Sequence, residues 1–301
     1  MSLLVVGSVA LDDIETPAGS VKSVLGGAAS YFGVAASFFV PVPVRVVAVV
    51  GEDFPEEHVK FLASRGLDLA GLQRVPGRTF RWGGRYGASL NQRDTLFTEL
   101  GVFEHFEPKI PPAYRDSEWV FLANIQPHLQ RSVLEQTRAP RFSAMDTMNF
   151  WIEGARDELA KTLAVVNGLV INDEEARQLT GESNLVRAAD AIRALGPRVV
   201  IVKRGEHGAL LFDDDGVFAA PAFPLREVRD PTGAGDSFAG GLMGALASHG
   251  ALDSDALRRA MIHGAVLASF CVEQFSLDGL RNLTRGDIDA RFEEFRRLTR
   301  F

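Results

Sequence analysis

Cysteine is almost missing from this chain of 301 residues, which has one, and tryptophan and tyrosine are scarce at three each. The single thiol, Cys271, cannot close an internal disulfide. Its apolar helical surroundings suit a buried structural side chain better than a nucleophile. No cysteines and histidines gather at metal-binding spacing, which excludes a zinc-ribbon or zinc-finger architecture. No apolar run reaches the length of a membrane span. The apolar residues 1–7 lack a basic leader and run into Asp12 and Asp13, the pattern of a first strand and not of a signal peptide. Positive charge is in deficit: 32 Lys and Arg against 39 Asp and Glu leave a net charge of −7. That balance gives a nucleic-acid partner no electrostatic support. Cysteine scarcity fits a reducing cytoplasm, the compartment expected here. Two phosphate-binding patterns are also absent. No Gly-x-x-x-x-Gly-Lys-Ser/Thr string occurs, which excludes a P-loop enzyme. Gly233-x-Gly235 is followed by Phe238 where a dinucleotide fingerprint has a third small residue, and it lies late in the chain, not after the first strand.

What is present is a globular composition, 46% hydrophobic and 24% charged, with enough apolar content for a large core. Apolar strand patterns at 3–6, 45–50, 72–75, 119–123, 141–145, 168–171, 199–203, 209–212 and 217–219 alternate with helical patterns. The helices are expected at 27–38, 56–64, 126–138, 152–161, 173–180, 184–194, 235–248, 256–270 and 285–299. Strands alternating with helices imply a mainly parallel sheet covered on both faces. Residues 79–103 differ in texture. Aromatics alternate there with Arg, Gly and Thr, which suits hairpin material standing off the main sheet. No repeat or interdomain linker interrupts the chain. One α/β domain over residues 1–301 is expected, a three-layer α/β/α sandwich with a small β-sheet lid from insertions at about 12–25 and 78–103.

The most informative stretch is 230–236, Asp-Pro-Thr-Gly-Ala-Gly-Asp, followed at once by a small-residue helix. A glycine turn at a helix N-terminus presents backbone N–H groups to an anion, and the helix dipole favours negative charge there. An acid beside a bound phosphate repels it unless it has chemical work, and the simplest is to take a proton from a hydroxyl attacking phosphorus. A tight turn with a capping Asp is the plainer reading of a bare Gly-x-Gly-Asp. The longer string resembles the C-terminal motif of the ribokinase-like (PfkB) carbohydrate and nucleoside kinases. The resemblance implies that Gly233, Ala234 and Gly235 form an anion hole for the transferred phosphate and that Asp236 is the catalytic base.

The resemblance extends along nearly the whole chain. Strand ends of a parallel sheet are where ligands bind, and Asp12 lies just past the first strand. It matches the acid with which the family grips sugar hydroxyls, although a solvated turn acid would look the same. Gly26-Gly27, otherwise an ordinary tight turn, matches a substrate-contacting turn. Several family members carry an asparagine a few residues on; ungapped counting places Tyr31 there, and Ala28 replaces the lysine of ribokinase. Both departures bear on whether D-ribose is the acceptor. Tyr31 is then a candidate substrate contact by stacking or through its hydroxyl. Asn172 and Glu175 match an Asn-x-x-Glu motif tied to Mg²⁺ and phosphate, with Glu175 acting through water; they also read as a helix cap with acidic first-turn residues. Gly205, in the turn 203–208, matches a strand end where backbone approaches ATP, and Lys203 or Arg204 would meet its phosphate charge. His207 reads as a surface turn residue. Small residues at 263–269 leave room for an adenine ring or pack helices. Asp230 and Thr232 match oxygens that hold a monovalent cation such as K⁺ in some members.

The implied activity is an ATP-dependent kinase of a small sugar or nucleoside, requiring Mg²⁺. Two other readings fit the same residues. A phosphosugar kinase would need a basic cluster at the acceptor end, for which Arg81, Arg85 and Arg93 are candidates. A non-catalytic protein would sense a sugar or nucleotide without turnover. Phe80, Trp82 and Phe97 would shield substrate or pair two lids into a homodimer.

Overall fold

The computed structural model describes residues 2–87 and 89–300. In chain order its elements are β1 (Leu3–Val6), β2 (Ala10–Thr16), β3 (Gly19–Gly26), α1 (Ala28–Ser37), β4 (Val44–Gly51), α2 (Glu56–Ser64), β5 (Leu67–Val75), β6 (Arg81–Tyr86) and β7 (Arg93–Glu99). There follow β8 (Trp119–Leu122), α3 (Pro127–Gln136), β9 (Phe142–Asp146), α4 (Asn149–Gly154), α5 (Arg156–Leu163), β10 (Gly168–Asn172), α6 (Asp173–Thr180), α7 (Leu185–Ala194) and β11 (Val199–Lys203). The chain continues through β12 (Ala209–Asp213), β13 (Gly216–Ala220), α8 (Ala234–His249), α9 (Ser254–Cys271), α10 (Asp278–Arg281) and α11 (Arg285–Leu298).

Nine strands form the main sheet in the order β13-β12-β11-β10-β9-β8-β1-β4-β5. All neighbours from β11 to β5 are parallel, while β12 and β13 add on antiparallel. Side chains alternate across a strand, so each strand feeds two cores. Leu3 and Val5 of β1 enter the core beneath α1, α2, α8, α9 and α11, while Leu4 and Val6 enter the core beneath α3 to α7. All four are fully buried, each a gain of about 1.5–3 kcal/mol over exposure. This is the α/β/α sandwich expected from the alternating pattern.

A four-stranded sheet, ordered β3-β2-β6-β7, stands apart from the main one. Its inner pair, β2 and β6, is parallel; the outer pairs are antiparallel. It is built from the two segments expected to form the lid. Thr79 fixes the base of the second segment: its amide and hydroxyl both donate to Asp53 Oδ1, at 2.7 and 2.6 Å, and its oxygen accepts the Gly51 amide at 3.0 Å.

Some boundaries differ from the pattern. The helix expected at 152–161 is two helices, α4 and α5, broken at Ala155 (φ −140°, ψ 36°). Gly154 ends the first, and the acidic first turn Asp157–Glu158 favours restarting the second. The strand expected at 72–75 begins at Leu67. Its early residues, 67–71, mix buried Leu67 and Gly71 with exposed Ala70 and carry an acid, Asp68, so they lack the apolar run that marks a buried strand.

Close helix packing sets the position of α8. A β-carbon at Gly240 would lie 2.3 Å from the Phe32 carbonyl of α1, and one at Gly241 would lie 3.0 Å from the His263 carbonyl of α9. These glycines let α8 sit between α1 and α9 with backbone nearly touching backbone. Gly240→Val is therefore expected to overpack the α1–α8 contact and cost about 1–3 kcal/mol. A urea titration checks this; an unchanged midpoint would refute the packing argument.

Candidate active site

The main-sheet strands β1, β9, β10 and β11 end on the same side, and the N-terminus of α8 points there. Gly233 precedes α8 with φ +74°, a left-handed conformation. A β-carbon on it would fall 2.3 Å from the Tyr31 ring, so the turn lies flat on that ring and admits only glycine. No side chain caps the helix. The amides of Gly235 and Asp236 donate to no acceptor among the described residues. Free first-turn amides of this kind form an anion site. Lys203, at the end of β11, adds charge to it: a β-carbon on Gly235 would lie 2.6 Å from its Nζ.

Acids surround this cation. Asp236 is raised above the usual carboxylate range by burial, while the Lys203 and Arg93 charges pull it back. Asp146, at the end of β9, is raised further, by burial first and then by the Asp236 charge. Its Oδ1 is sealed from solvent without a partner. Glu175 is raised by burial and lowered by Lys203. The register explains the gathering: Asn172 pairs with Lys203 across β10 and β11, and Asp146 pairs with Val170 across β9 and β10. Sequence reasoning missed Asp146. Its only signal is an acid at the C-terminal end of a parallel strand.

Asn172 and Glu175 form a reciprocal capping box on α6. Asn172 Oδ1 accepts the Glu175 amide at 2.7 Å, and Glu175 Oε2 accepts the Asn172 amide at 3.1 Å. The capping role is thus present, and Glu175 Oε1 is left for another partner. The donor set suits Mg²⁺, which takes one or two carboxylates and otherwise keeps water and phosphate oxygens. Among the described residues no three His, Cys, Asp or Glu side chains converge on one metal position.

The residues expected to hold an acceptor stand on β2, at the β3–α1 turn and on α1. Asp12 is on β2, buried, and its pKa is raised to about 8 by desolvation and then by the Asp230 and Asp236 charges. Gly26 and Gly27 accommodate it and the neighbouring strand. A β-carbon on Gly26 would strike Asp12 Oδ2 at 2.0 Å, and one on Gly27, at φ +90°, would strike the Ser8 carbonyl at 2.5 Å. Tyr31 is 1% exposed. Its face is spent on Gly233, and its hydroxyl is buried without a partner; in this arrangement the hydroxyl, not the ring, is the group left to make a contact. Asp230 is fully buried with both oxygens committed, Oδ1 to the Thr232 amide at 2.8 Å and Oδ2 to the Ser276 amide at 2.9 Å. It clamps the turn, and Thr232 Oγ1 donates to the Tyr86 hydroxyl at 3.2 Å.

The small sheet closes over these groups. Trp82 pairs beside Asp12 in register, and its ring fills the space above Gly84. The Arg93 guanidinium stands over that ring at 5.2 Å. Asn91 reaches Gly205, whose β-carbon would lie 2.3 Å from Asn91 Oδ1. Arg81 and Arg85 alternate with Trp82 and Tyr86, so they face the other side. Arg81 donates to Ser23 and pairs with Asp13, and Arg85 pairs with Glu15 at 2.7 Å. The basic trio is therefore divided, with Arg93 alone directed at the site. Phe80 stacks on Phe103, and Phe97 covers Gly83. Cys271 is buried, its thiol pushed up to about 12 by desolvation, as a structural cysteine. His207 is exposed, as expected of a turn residue.

The raised Asp12 has a consequence for stability. A carboxyl whose folded pKa exceeds its ordinary value of 3.8 holds its proton more tightly in the fold. Its contribution favours folding below that ordinary value and is lost as pH rises through about 8. Asp12→Asn is expected to flatten the decline of stability across this window, by on the order of 1 kcal/mol per pH unit. Denaturant midpoints at several pH values check this; parallel profiles for the two proteins would refute it.

Comparison with known proteins bears on the family and the fold. The chain is 32% identical over 250 residues to a cytidine kinase of Thermococcus kodakarensis, covering 81% of this chain and 87% of the relative. Its fold is similar to that of the Burkholderia thailandensis nucleoside kinase in complex with inosine, with TM-score 0.79, 21% identity and coverage of 97% and 98% of the two chains. It is also similar to Salmonella enterica aminoimidazole riboside kinase complexed with aminoimidazole riboside and an ATP analogue, with TM-score 0.78, 20% identity and coverage of 97% and 100%. The model of the pfkB family carbohydrate kinases matches residues 2–279, and the chain, bearing that family's fold and its glycine turn at the head of α8, belongs to it.

Proposed function

We propose that this kinase transfers the terminal phosphoryl group of ATP to a hydroxyl of a nucleoside. The observation that carries the reading is the head of α8, where free Gly235 and Asp236 amides, the Lys203 ammonium and the Asp236 carboxyl converge. In this reading the hydroxyl oxygen bonds to the γ-phosphorus, the bond from that phosphorus to the bridging oxygen breaks, and ADP leaves. Asp236 takes the hydroxyl proton. Burial suits it to that role, because a carboxylate short of water is a stronger base. The residue 233–235 turn forms the anion hole, with the Gly235 and Asp236 amides and Lys203 opposing the charge that spreads over the phosphoryl oxygens. A Mg²⁺ ion near Glu175 Oε1 and Asp146 would neutralise phosphate charge.

Asp12 grips the acceptor in this scheme, with Gly26 and Gly27 shaping the turn against it and Tyr31 offering its hydroxyl. Gly205 lets the nucleotide approach β11. A nucleoside is favoured over a bare sugar by two things. The cytidine kinase relative acts on a nucleoside by name, and Trp82 places a large apolar side chain in register with Asp12, where a base would add apolar contact that a bare sugar lacks. A phosphosugar is disfavoured because Arg81 and Arg85 are paired on the far side of the small sheet. A sensor without turnover is disfavoured because both Asp236 and the free amides are in place. Thr232 and Asp230 retain a place beside a monovalent cation only through oxygens beyond those Asp230 gives to backbone amides.

Asp236→Asn is expected to lower kcat by about 10²–10⁴ while nucleotide affinity, read by calorimetry, stays within a few-fold. Near-normal turnover in the folded variant would sink the assignment of the base. Gly233→Ala drives a β-carbon into Tyr31 and is expected to abolish turnover while Asp12 still binds acceptor. A screen of cytidine, inosine, ribose and fructose 6-phosphate with Mg²⁺ and ATP is expected to favour the nucleosides. Preference for fructose 6-phosphate would establish the phosphosugar reading, and ligand binding with no turnover on any acceptor would establish the sensor.

A further inference from the structure

At the opposite end of α8 from the glycine turn lies a cavity of about 170 Å³. Sixteen residues of helix separate the two, roughly 24 Å. Phe39, Ser248, His249, Arg259, His263 and Arg285 line it. In a chain of net charge −7, its wall is positive. Arg259, exposed on α9, makes no ion pair or hydrogen bond among the described residues. Arg285 pairs with Asp289 at 2.9 Å and donates to the Phe38 carbonyl at 3.3 Å, with its guanidinium 4.9 Å from the Phe39 ring. The Asp253 carboxylate is spent on the Ala256 amide, where it caps α9. Asp289 is thus taken up by Arg285, and Arg259 stands uncompensated beside two histidines.

His263 registers this surplus. Its ring is fixed between Phe292, stacked at 4.3 Å, and Phe39, edge-on at 4.9 Å. Its pKa is pushed down to about 4, by burial first and then by the Arg285 and Arg259 charges against the opposing effect of Asp289. The helix ends nearly cancel: the C-terminus of α8 disfavours an anion, and the first turn of α9 favours one.

We propose that this cavity is a binding site for a phosphate group, separate from the catalytic cleft. Arg259 and the free side of Arg285 supply guanidinium donors in the geometry that phosphate oxygens match, and the Ser248 hydroxyl adds a neutral donor. The volume admits a phosphate with a few attached atoms and excludes a whole nucleotide, so the remainder of any ester would extend into solvent.

The test uses the full chain, with inorganic phosphate and with cytidine monophosphate as separate probes, and follows the His263 ring resonances by NMR. Their assignment comes from His263→Gln, one of six histidines removed. A saturable shift at millimolar probe is expected, with Arg259→Glu weakening the apparent affinity at least tenfold and Asp236→Asn leaving it unchanged. Saturation by inorganic phosphate makes the free ion sufficient; saturation by the ester alone makes the ligand a phosphorylated small molecule. Arg259 is exposed and unpaired, so the variant is expected to keep the thermal midpoint and the turnover of the parent. The proposal is overturned if neither probe moves His263, or if Arg259→Glu binds both probes as the parent does.

Discussion

The left-handed turn at Gly233 rests on the ring of Tyr31, and the arrangement of the site follows from that contact. Because the turn lies flat, α8 can begin at Ala234 with its first amides aimed outward. Because Gly235 also lacks a side chain, the Lys203 ammonium can settle against the helix head. The Asp230 carboxylate holds the turn from beneath through the Thr232 and Ser276 amides. The same contact also explains the departure noted at Tyr31. A residue that counting places among substrate contacts has its ring committed to supporting the glycine turn before α8.

Electrostatics around this turn are unbalanced by design of the fold. Asp12, Asp146, Glu175, Asp230 and Asp236 are all raised by burial, and Lys203 with Arg93 answers only part of their charge. A site so arranged is costly to keep ionised when nothing is bound. Bound cations and hydroxyl donors would relieve the cost, which ties ligand binding to stability through the same residues.

The sheet and its covering helices were legible because their apolar runs are long and buried on both faces. The seven-residue turn was legible because glycine at a left-handed position and an acid in a first turn are local features. The Asn172–Glu175 pair stands at a strand end and could be read the same way, whereas Asp12, read as lying just past β1, sits within β2 of the small sheet. Lys203 was legible only as a residue near phosphate; its contact with Gly235 depends on the register of β11 beside β10. Asp146 and the orientation of Arg93 were not legible, since each reaches the site from an element with no local mark of it. The break at Ala155 was hidden because both helices present one apolar face to the same core.

The small sheet is held very unequally at its two ends. Near Thr79 it is tied by two short hydrogen bonds to a carboxylate, a charge-assisted pair worth about 1.5–3 kcal/mol per bond. At Tyr86 it is joined to the turn before α8 by one neutral hydroxyl contact of 3.2 Å, worth about 0.5–1.5 kcal/mol. The neutral contact at Tyr86 is the weaker of these two ties. Trp82 and Arg93 stand together on the sheet between them, the guanidinium 5.2 Å over the ring. Any displacement of the sheet about Thr79 would therefore move the aromatic and the cation as one unit.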